Sequence, residues 1–211
     1  MKIKLEQDYY DTGVKLFPYR TLNLEPGITV LVGCNGSGKT TLLEQIKHHC
    51  SNNGVKYLRY DNYKEGGGHA MQNNLLFNNI KAVALDAVSS EGERIFHNIN
   101  RYSSKIKETI AGLKNGDEFV LLLDAIDSGL DTATTDLVKK NLFHQIISYC
   151  DKKGIIAYIV ITSNSFEMGR NERCISLVDG KYHNLKTYDS YRKVIEKTFQ
   201  SKIERYNKES A

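Results

Sequence analysis

The sequence predicts an α/β fold in which helices flank a mostly parallel sheet. The first observation is a set of short, mainly apolar runs, and the second is the amphipathic pattern of segments between them. The third is a glycine-rich loop that joins the first of these runs to a helical pattern. At 211 residues the chain can bury its own core, and residues 1–211 are expected to form a single domain.

Four apolar runs are predicted to be strands of this sheet. The runs at 28–32, 119–123 and 155–161 are apolar nearly throughout rather than alternating with polar residues, which indicates strands that are buried on both faces. The four runs span residues 28–32, 55–60, 119–123 and 155–161. Two further short strands, residues 174–178 and 181–185, flank Asp179-Gly180 and are predicted to form a hairpin.

Helices are predicted where apolar residues recur at helical spacing. One starts within Ser37–Thr41, and others cover residues 91–113 and 136–149. The segment 61–79 is rich in glycine and asparagine, so it is predicted to be mostly loop. The last helix, about 190–206, is amphipathic, and its apolar stripe is interpreted as core packing, with partner docking as the alternative. The stripe consists of Val194, Ile195, Phe199 and Ile203.

Composition and charge limit the location of the protein more than its function. A net charge of +4 is mild for this length and predicts neither binding nor rejection of nucleic acid. No run approaches the roughly 20 apolar residues that cross a bilayer, and residues 1–10 are polar and charged. The four cysteines form no CxxC pair, so a zinc site is not expected. We therefore expect a cytoplasmic protein with reduced thiols and no membrane partner.

Residues 33–40 have the sequence Gly-Cys-Asn-Gly-Ser-Gly-Lys-Thr, which fits the phosphate-loop pattern GxxxxGK[ST] between a predicted strand and a predicted helix. Gly36 and Gly38 allow backbone N–H groups to surround a phosphate, and Lys39 adds a positive charge. The Thr40 hydroxyl can reach Mg²⁺, and the start of the helix favours an anion. The fold class is therefore that of a P-loop NTPase. The residues expected to contact ATP are Gly33, Cys34, Asn35, Gly36, Ser37, Gly38, Lys39, Thr40 and Thr41.

Three parts of the chain resemble the motifs of ATP-binding cassette (ABC) ATPases. Residues 33–43 resemble the Walker A loop, and Ser90-Glu-Gly-Glu-Arg94 resembles the signature motif. Leu121-Leu-Leu-Asp124 and Ser128-Gly-Leu-Asp131 resemble the Walker B strand and the D-loop. The resemblance covers roughly residues 22–164 and is to the soluble branch with SMC-like, DNA-repair and phage-defence ATPases. The short interval between the first two motifs leaves room for only a reduced helical subdomain.

The resemblance implies that two subunits enclose two Mg·ATP molecules in a head-to-tail homodimer. Thr40 and Asp124 would hold Mg²⁺, and Gln72 is the candidate for the Q-loop residue that senses the metal. The signature motif of one subunit would contact the ATP held by the other, and the D-loop would cross the interface. The residues expected in these two roles are Ser90, Gly92, Glu93, Ser128 and Asp131.

The chain departs from the ABC pattern at the reaction centre. The family has a glutamate after the Walker B aspartate, whereas this chain has Ala125, which cannot polarise water. Asp127 would lie on the same side of an extended chain and is a shorter substitute. Transport-type members place a histidine where this chain has Ser163, whose hydroxyl can still bond phosphate or water. These three residues are the catalytic candidates, and hydrolysis is expected to be slow.

The leading hypothesis is an ATPase that dimerises on ATP and switches a partner, which is DNA, a nuclease or another effector protein. One alternative is the nucleotide-binding subunit of a transporter, which would need a coupling surface and a histidine at position 163. The other is an ATP sensor that binds without hydrolysis because the base was lost naturally. A deliberate substitution that traps bound ATP would also explain Ala125, and the intact neighbouring motifs favour it.

No aromatic residue is evident for stacking on adenine. The candidates are Tyr9, Tyr10, Phe17 and Tyr19. All of them precede the predicted strand that leads into the phosphate loop, and we assign them to core or surface packing. Preference for ATP over GTP therefore rests on the resemblance alone.

Overall fold

The structure is a computed structural model that describes residues 1–10, 13, 15–62 and 102–209, with side chains as far as residue 207. Its strands are β1 (Lys2–Lys4), β2 (Thr21–Asn23), β3 (Gly27–Val32), β4 (Lys56–Asp61), β5 (Glu118–Asp124), β6 (Ile156–Ser163), β7 (Arg173–Ser176) and β8 (Tyr182–Asn184). Its helices are α1 (Lys39–Asn52), α2 (102–111), α3 (Thr132–Val138), α4 (His144–Lys152), α5 (Phe166–Gly169) and α6 (Tyr188–Glu209). A π-helical segment, Lys139–Phe143, joins α3 to α4.

Six of the described strands form one sheet in the order β4-β5-β6-β3-β7-β8. The first five run parallel, and β8 pairs antiparallel with β7 at the edge. This arrangement confirms the predicted mostly parallel sheet, and the buried strands and the hairpin fall where the sequence predicts them. The strands β1 and β2 pair as a separate antiparallel ribbon that the sequence analysis missed.

The central strands β3, β5 and β6 are mainly apolar because each of their faces is covered. Successive residues of β5 alternate between two cores: Leu121 and Leu123 belong to one, and Val120 and Leu122 to the other. The first core is covered by α2, by α6, and by α3 and α4 with the π-helical segment that joins them. The second core is covered by α1 and by the β1–β2 ribbon. The carboxyl ends of β3, β5 and β6 are therefore held side by side between two layers.

The helix predicted over 136–149 is longer at both ends. It begins at Thr132 because the Asp131 carboxylate accepts a hydrogen bond of 2.7 Å from the backbone N–H of Thr134, which satisfies a donor that the first turn would otherwise leave open. It ends at Lys152, and the π-helical segment interrupts its regular period. A pattern based on 3.6 residues per turn cannot locate such a segment.

The C-terminal helix is present where the sequence predicts it and is two to three residues longer at each end, but the interpretation of its apolar stripe is only half right. Val194 is buried in the core, whereas Phe199 is 54% exposed and Ile203 is 37% exposed. The prediction that the whole stripe packs in the core is wrong for these two residues. Thr198 is buried instead, and it faces the phosphate loop.

Two predicted segments lie largely or partly outside the described residues. Of the helix predicted over 91–113, residues 102–111 are helical, and their Ile106 and Ile110 are buried in the first core. Most of the loop predicted over 61–79 and the reduced helical subdomain fall outside the described part of the chain. Within that described part, no helix is both long and apolar enough to cross a membrane.

Candidate functional site

A cavity of about 350 Å³ lies at the carboxyl ends of β3, β5 and β6. In parallel α/β sheets this edge is where ligands bind, because the loops and helix starts converge there. The cavity is lined by the phosphate loop, by the end of β5 and by the end of β6. The lining residues from these segments are Asn35, Gly36, Gly38, Lys39, Thr40, Thr41, Asp124, Ala125, Thr162, Ser163 and Asn164.

Two glycines give the phosphate loop its shape. Gly36 and Gly38 have φ angles of 73° and 103°, in the region that residues with a side chain seldom adopt. A Cβ added to Gly38 would also lie 3.2 Å from a ring carbon of Phe17, which packs against the loop from the second core. Gly38 offers no side chain to cap α1, so the first N–H groups of that helix are available to an anion.

The Lys39 ammonium is held over the loop by three oxygen atoms. It donates to the carbonyls of Gly33 and Cys34 at 2.6 and 3.1 Å and to the side-chain oxygen of Asn164 at 2.8 Å. Burial lowers the pKa of Lys39, and the nearby carboxylates of Asp127 and Asp124 oppose that shift. A partly buried cation is thus fixed at the mouth of the loop, where a phosphate would be most strongly attracted.

Oxygen atoms suited to Mg²⁺ meet at the Asp124 carboxylate, which is buried at the end of β5. It accepts hydrogen bonds from the hydroxyls of Thr40 at 3.2 Å and Thr162 at 2.6 Å. The described residues contain no cluster of three or more metal-binding side chains, so the protein offers few ligands here. This donor set fits Mg²⁺, which keeps several waters and takes one or two protein oxygens together with phosphate.

Arg59 of β4 balances the charge of that carboxylate, and the sequence analysis missed it. Its guanidinium lies 3.4 Å from Asp124 and 3.8 Å from Asp61, and it donates to Glu44 on α1. The register that pairs β4 with β5 brings these groups together. One sign of this role is visible in the sequence: Arg59 lies inside a predicted strand, and a charged side chain that is buried there needs a partner of opposite charge.

Ala125 begins a tight turn rather than continuing the strand. Its φ is 51°, its carbonyl accepts the N–H of Ser128 at 3.1 Å, and its own N–H donates to the Thr162 hydroxyl at 2.8 Å. The expectation that Asp127 lies beside Ala125 along an extended chain is therefore wrong. Ala125 lines the cavity, so a methyl group occupies the position at which ABC-like sequences carry the glutamate.

Asp127 instead accepts a hydrogen bond from Ser163 and does not itself line the cavity. Its carboxylate lies 2.5 Å from the Ser163 hydroxyl, which donates to it, and it also accepts the N–H of Ser165 at 3.2 Å. Burial raises the pKa of the Asp127 carboxyl, and the bond from Ser163 opposes that rise. Of these two residues only Ser163 lines the cavity, so Asp127 contributes to the cavity wall through Ser163.

Tyr10 also lines the cavity, although the sequence analysis assigned it to packing. Its hydroxyl lies 3.0 Å from that of Thr41, and its ring is 59% exposed. The neighbouring Tyr9 packs edge-on against it with ring centres 5.1 Å apart, while Phe17 is buried as predicted. Nothing in the local sequence marks Tyr10, because its place depends on how the N-terminal segment crosses α1.

The remaining site candidates are spread more widely. Cys34 is half-buried, and Ser37 has a buried hydroxyl without a hydrogen-bond partner among the described residues. Ser128 and Asp131 are exposed in the turn after β5, where Asp131 caps α3 and the bond from Thr134 lowers the pKa of its carboxyl. The candidates Gln72, Ser90, Gly92 and Glu93 lie outside the described residues.

Comparison with known proteins agrees with this geometry. A protein-family model described as AAA domain (AAA_23) matches residues 13–210, which is nearly the whole chain. No curated protein matches the sequence. The match spans the phosphate loop, the strand that carries Asp124 and the C-terminal helix. The chain therefore belongs to the AAA domain family of P-loop ATPases.

Proposed function

We propose that this protein is an ABC-like ATP switch. It binds Mg·ATP, pairs with a second copy around two nucleotides, hydrolyses them slowly, and acts on a nuclease, another effector protein or nucleic acid. The observation that carries the proposal is the meeting of the Lys39 ammonium, the Thr40 hydroxyl and the Asp124 carboxylate at one cavity beside a glycine-rich loop. Cation, hydroxyl and carboxylate are the groups that a magnesium-bound triphosphate requires.

Each of these groups has one role in nucleotide binding. Lys39 neutralises phosphate charge, and the left-handed glycines let the loop backbone follow the phosphates. Thr40 and Asp124 would hold Mg²⁺, which would neutralise charge on the phosphate oxygens. Tyr10, with an exposed ring at the cavity, is the described aromatic residue placed to contact a base.

Slow hydrolysis follows from the groups available to orient water. The methyl group of Ala125 has no lone pair, so it contributes no base. The Ser163 hydroxyl donates a hydrogen bond to Asp127 and accepts one from the N–H of Ser165 at 2.9 Å, which leaves its oxygen one further lone pair for a bond at the cavity. A hydroxyl backed by a carboxylate positions water less strongly than a carboxylate that contacts it directly. The closed, ATP-bound state is therefore long-lived.

The homodimer is tested by the mass of the protein in solution. We expect light scattering to show a mass that doubles only when Mg·ATP is present, because the signature-like segment 90–94 would close over the partner's nucleotide. A Lys39→Met variant, which lacks the loop cation, is expected to keep the smaller mass under both conditions. A wild-type mass that ATP does not change, measured where ATP binding is saturated, contradicts the homodimer.

A second candidate function is an ATP sensor that binds ATP and never hydrolyses it. The surroundings of Ala125 support this alternative. Ala125 has no base, and the Asp127 carboxylate is already bonded to Ser163 and Ser165. An Ala125→Glu variant separates the two functions. Because position 125 already holds a side chain at positive φ, glutamate there adds no new class of backbone strain.

For the ATPase we expect Ala125→Glu to raise the hydrolysis rate by about 10²-fold or more, the size of a general-base contribution. Ala125→Gln is the matched control, since it has the same length without a basic oxygen, and we expect it to stay near the wild-type rate. If Ala125→Glu binds ATP as tightly as the wild type and gains no activity, the sensor is the correct function.

A further inference from the structure

The C-terminal helix α6 presents a row of polar side chains to the phosphate loop and to the rim of the cavity. These side chains are those of Tyr191, Thr198, Lys202 and Arg205. Spacings of seven, four and three residues place all four along one face of a helix. The apolar pattern of the helix does not reveal this face, because the contacts that define it are polar.

Three of these side chains bond to backbone atoms in the first half of the phosphate loop or at the cavity rim. The buried Thr198 hydroxyl accepts the N–H of Cys34 at 2.9 Å, and it gives its own proton to the carbonyl of Ile195 at 2.8 Å. The Lys202 ammonium donates to the carbonyl of Asn35 at 3.0 Å. Arg205 donates to the carbonyl of Leu16, a cavity-lining residue, at 2.9 Å.

The same helix reaches the other side of the loop through Tyr191. Its hydroxyl donates to the carbonyl of Asn164 at 2.7 Å, and the Asn164 side chain accepts a bond from Lys39. The carbonyl of Cys34 also binds Lys39. Helix α6 therefore fixes backbone atoms of residues that line the cavity or hold its lysine.

Lys202 adds charge as well as a hydrogen bond. Its ammonium lies only 2.9 Å from the point where a Cβ on Gly36 would stand, so it rests directly against the loop. A cation at this distance raises the positive potential at the loop, which strengthens attraction for a phosphate. Binding becomes more favourable still if the loop is ordered beforehand, because less entropy is lost when the ligand arrives.

We infer that Thr198 and Lys202 are positioning residues for the phosphate loop, and that docking of α6 and binding of a nucleoside triphosphate stabilise each other. The inference rests on the proposed ATP binding and adds the element that regulates it. Coupling of this kind is reciprocal: if docked α6 favours ATP, then ATP favours docked α6 by the same factor.

The first test is ATP affinity, measured by titration calorimetry on full-length variants. Thr198→Val and Lys202→Gln are expected to weaken ATP binding by at least about fivefold, the lower end of measured couplings. Thr198→Ser and Lys202→Arg keep the acceptor or the charge, and they should recover most of the loss. Lys197→Gln is the matched control, since Lys197 is an exposed lysine on the same helix, and its affinity should match the wild type.

The second test is hydrogen exchange of the α6 amides. If Thr198 and Lys202 only stabilised the fold, ATP would not change the exchange rate of these amides. ATP is expected to slow exchange over residues 191–205 in the wild type and in Lys197→Gln, and to lose most of this effect in Lys202→Gln. Wild-type affinity in Lys202→Gln, or ATP binding by the wild type without slower α6 exchange, overturns the inference. A wild type that does not bind ATP at all overturns the proposed function and this inference together.

Discussion

Two parts of the cavity wall are built in different ways. The phosphate loop is a continuous stretch whose form is set by glycines, a lysine and the start of α1. The opposite wall combines the ends of β5 and β6, which are neighbours only because of the strand order of the sheet. The shape of the loop follows from its own glycines, whereas the opposite wall depends on the pairing of Asp124 and Thr162 from two strands.

This difference predicts how the two parts respond to substitution. A change at a loop glycine should weaken binding strongly, because the glycine sets the shape of the loop directly. A change in the opposite wall should be partial, because Asp124 is held by Thr40, Thr162 and Arg59 together. Substitutions in the loop and in the opposite wall test this difference.

The largest effect is expected from Gly38→Ala. A residue with a side chain at positive φ costs about 1–2 kcal/mol, and here the new Cβ also crowds the Phe17 ring at 3.2 Å. The loop can relieve both only by leaving the shape that its N–H groups need for phosphate. We expect ATP affinity, measured by calorimetry, to fall by about 100-fold or more.

Gly54→Ala is the matched control for this experiment. Gly54 also has a positive φ, of 68°, but a Cβ there would meet nothing within 4 Å. It should therefore lose about 1–2 kcal/mol of folding stability and keep its ATP affinity. If Gly38→Ala binds ATP as well as Gly54→Ala does, the geometry of the loop is not what determines binding.

Asp124→Asn should have an intermediate effect, confined to the metal. Removing the negative charge takes away one of the two protein groups placed to hold Mg²⁺, so we expect about 10–100-fold weaker ATP binding in the presence of Mg²⁺. Without Mg²⁺ the variant and the wild type should differ much less. Asp61→Asn, which removes the other strand-end partner of Arg59, should leave the magnesium dependence unchanged.

The smallest effect concerns Asp127 and the pH dependence of stability. Burial raises the pKa of its carboxyl above the unfolded value of about 3.9. Its contribution to folding is therefore fully present below that value and is lost as the pH rises through the raised pKa. Asparagine is neutral throughout, so Asp127→Asn should gain stability relative to the wild type as the pH rises from about 4 toward 7.

Urea unfolding at several pH values measures this difference. Asp151→Asn on α4 removes an exposed carboxylate, and it should follow the wild-type curve. If the stability of Asp127→Asn and that of the wild type change with pH in parallel, the pKa of the Asp127 carboxyl is not raised by folding.

The parts of this molecule that sequence predicts are those where the cause is local. The buried strands follow from uniform apolar runs, and the phosphate loop from its glycine spacing. The three-residue strands of the β1–β2 ribbon are too short to show a recognisable alternation of polar and apolar residues. The position of Asp127 was predicted wrongly because the chain turns at Ala125 instead of remaining extended. Arg59 is 65 positions from Asp124, and Lys202 is 167 positions from Asn35, so only the folded topology brings them together.

The bond between Thr162 and Asp124 ties metal binding to the register of the sheet. Strands β5 and β6 pair with Leu123 opposite Ile161, which brings the next residue of each strand within hydrogen-bond distance. A slip of one residue would replace Thr162 by Ile161 or Ser163 and reverse the face on which each side chain lies. A misregistered chain could be compact and still lack a carboxylate oriented for magnesium. In the proposed site, magnesium-dependent ATP binding would therefore report whether these two strands are correctly aligned.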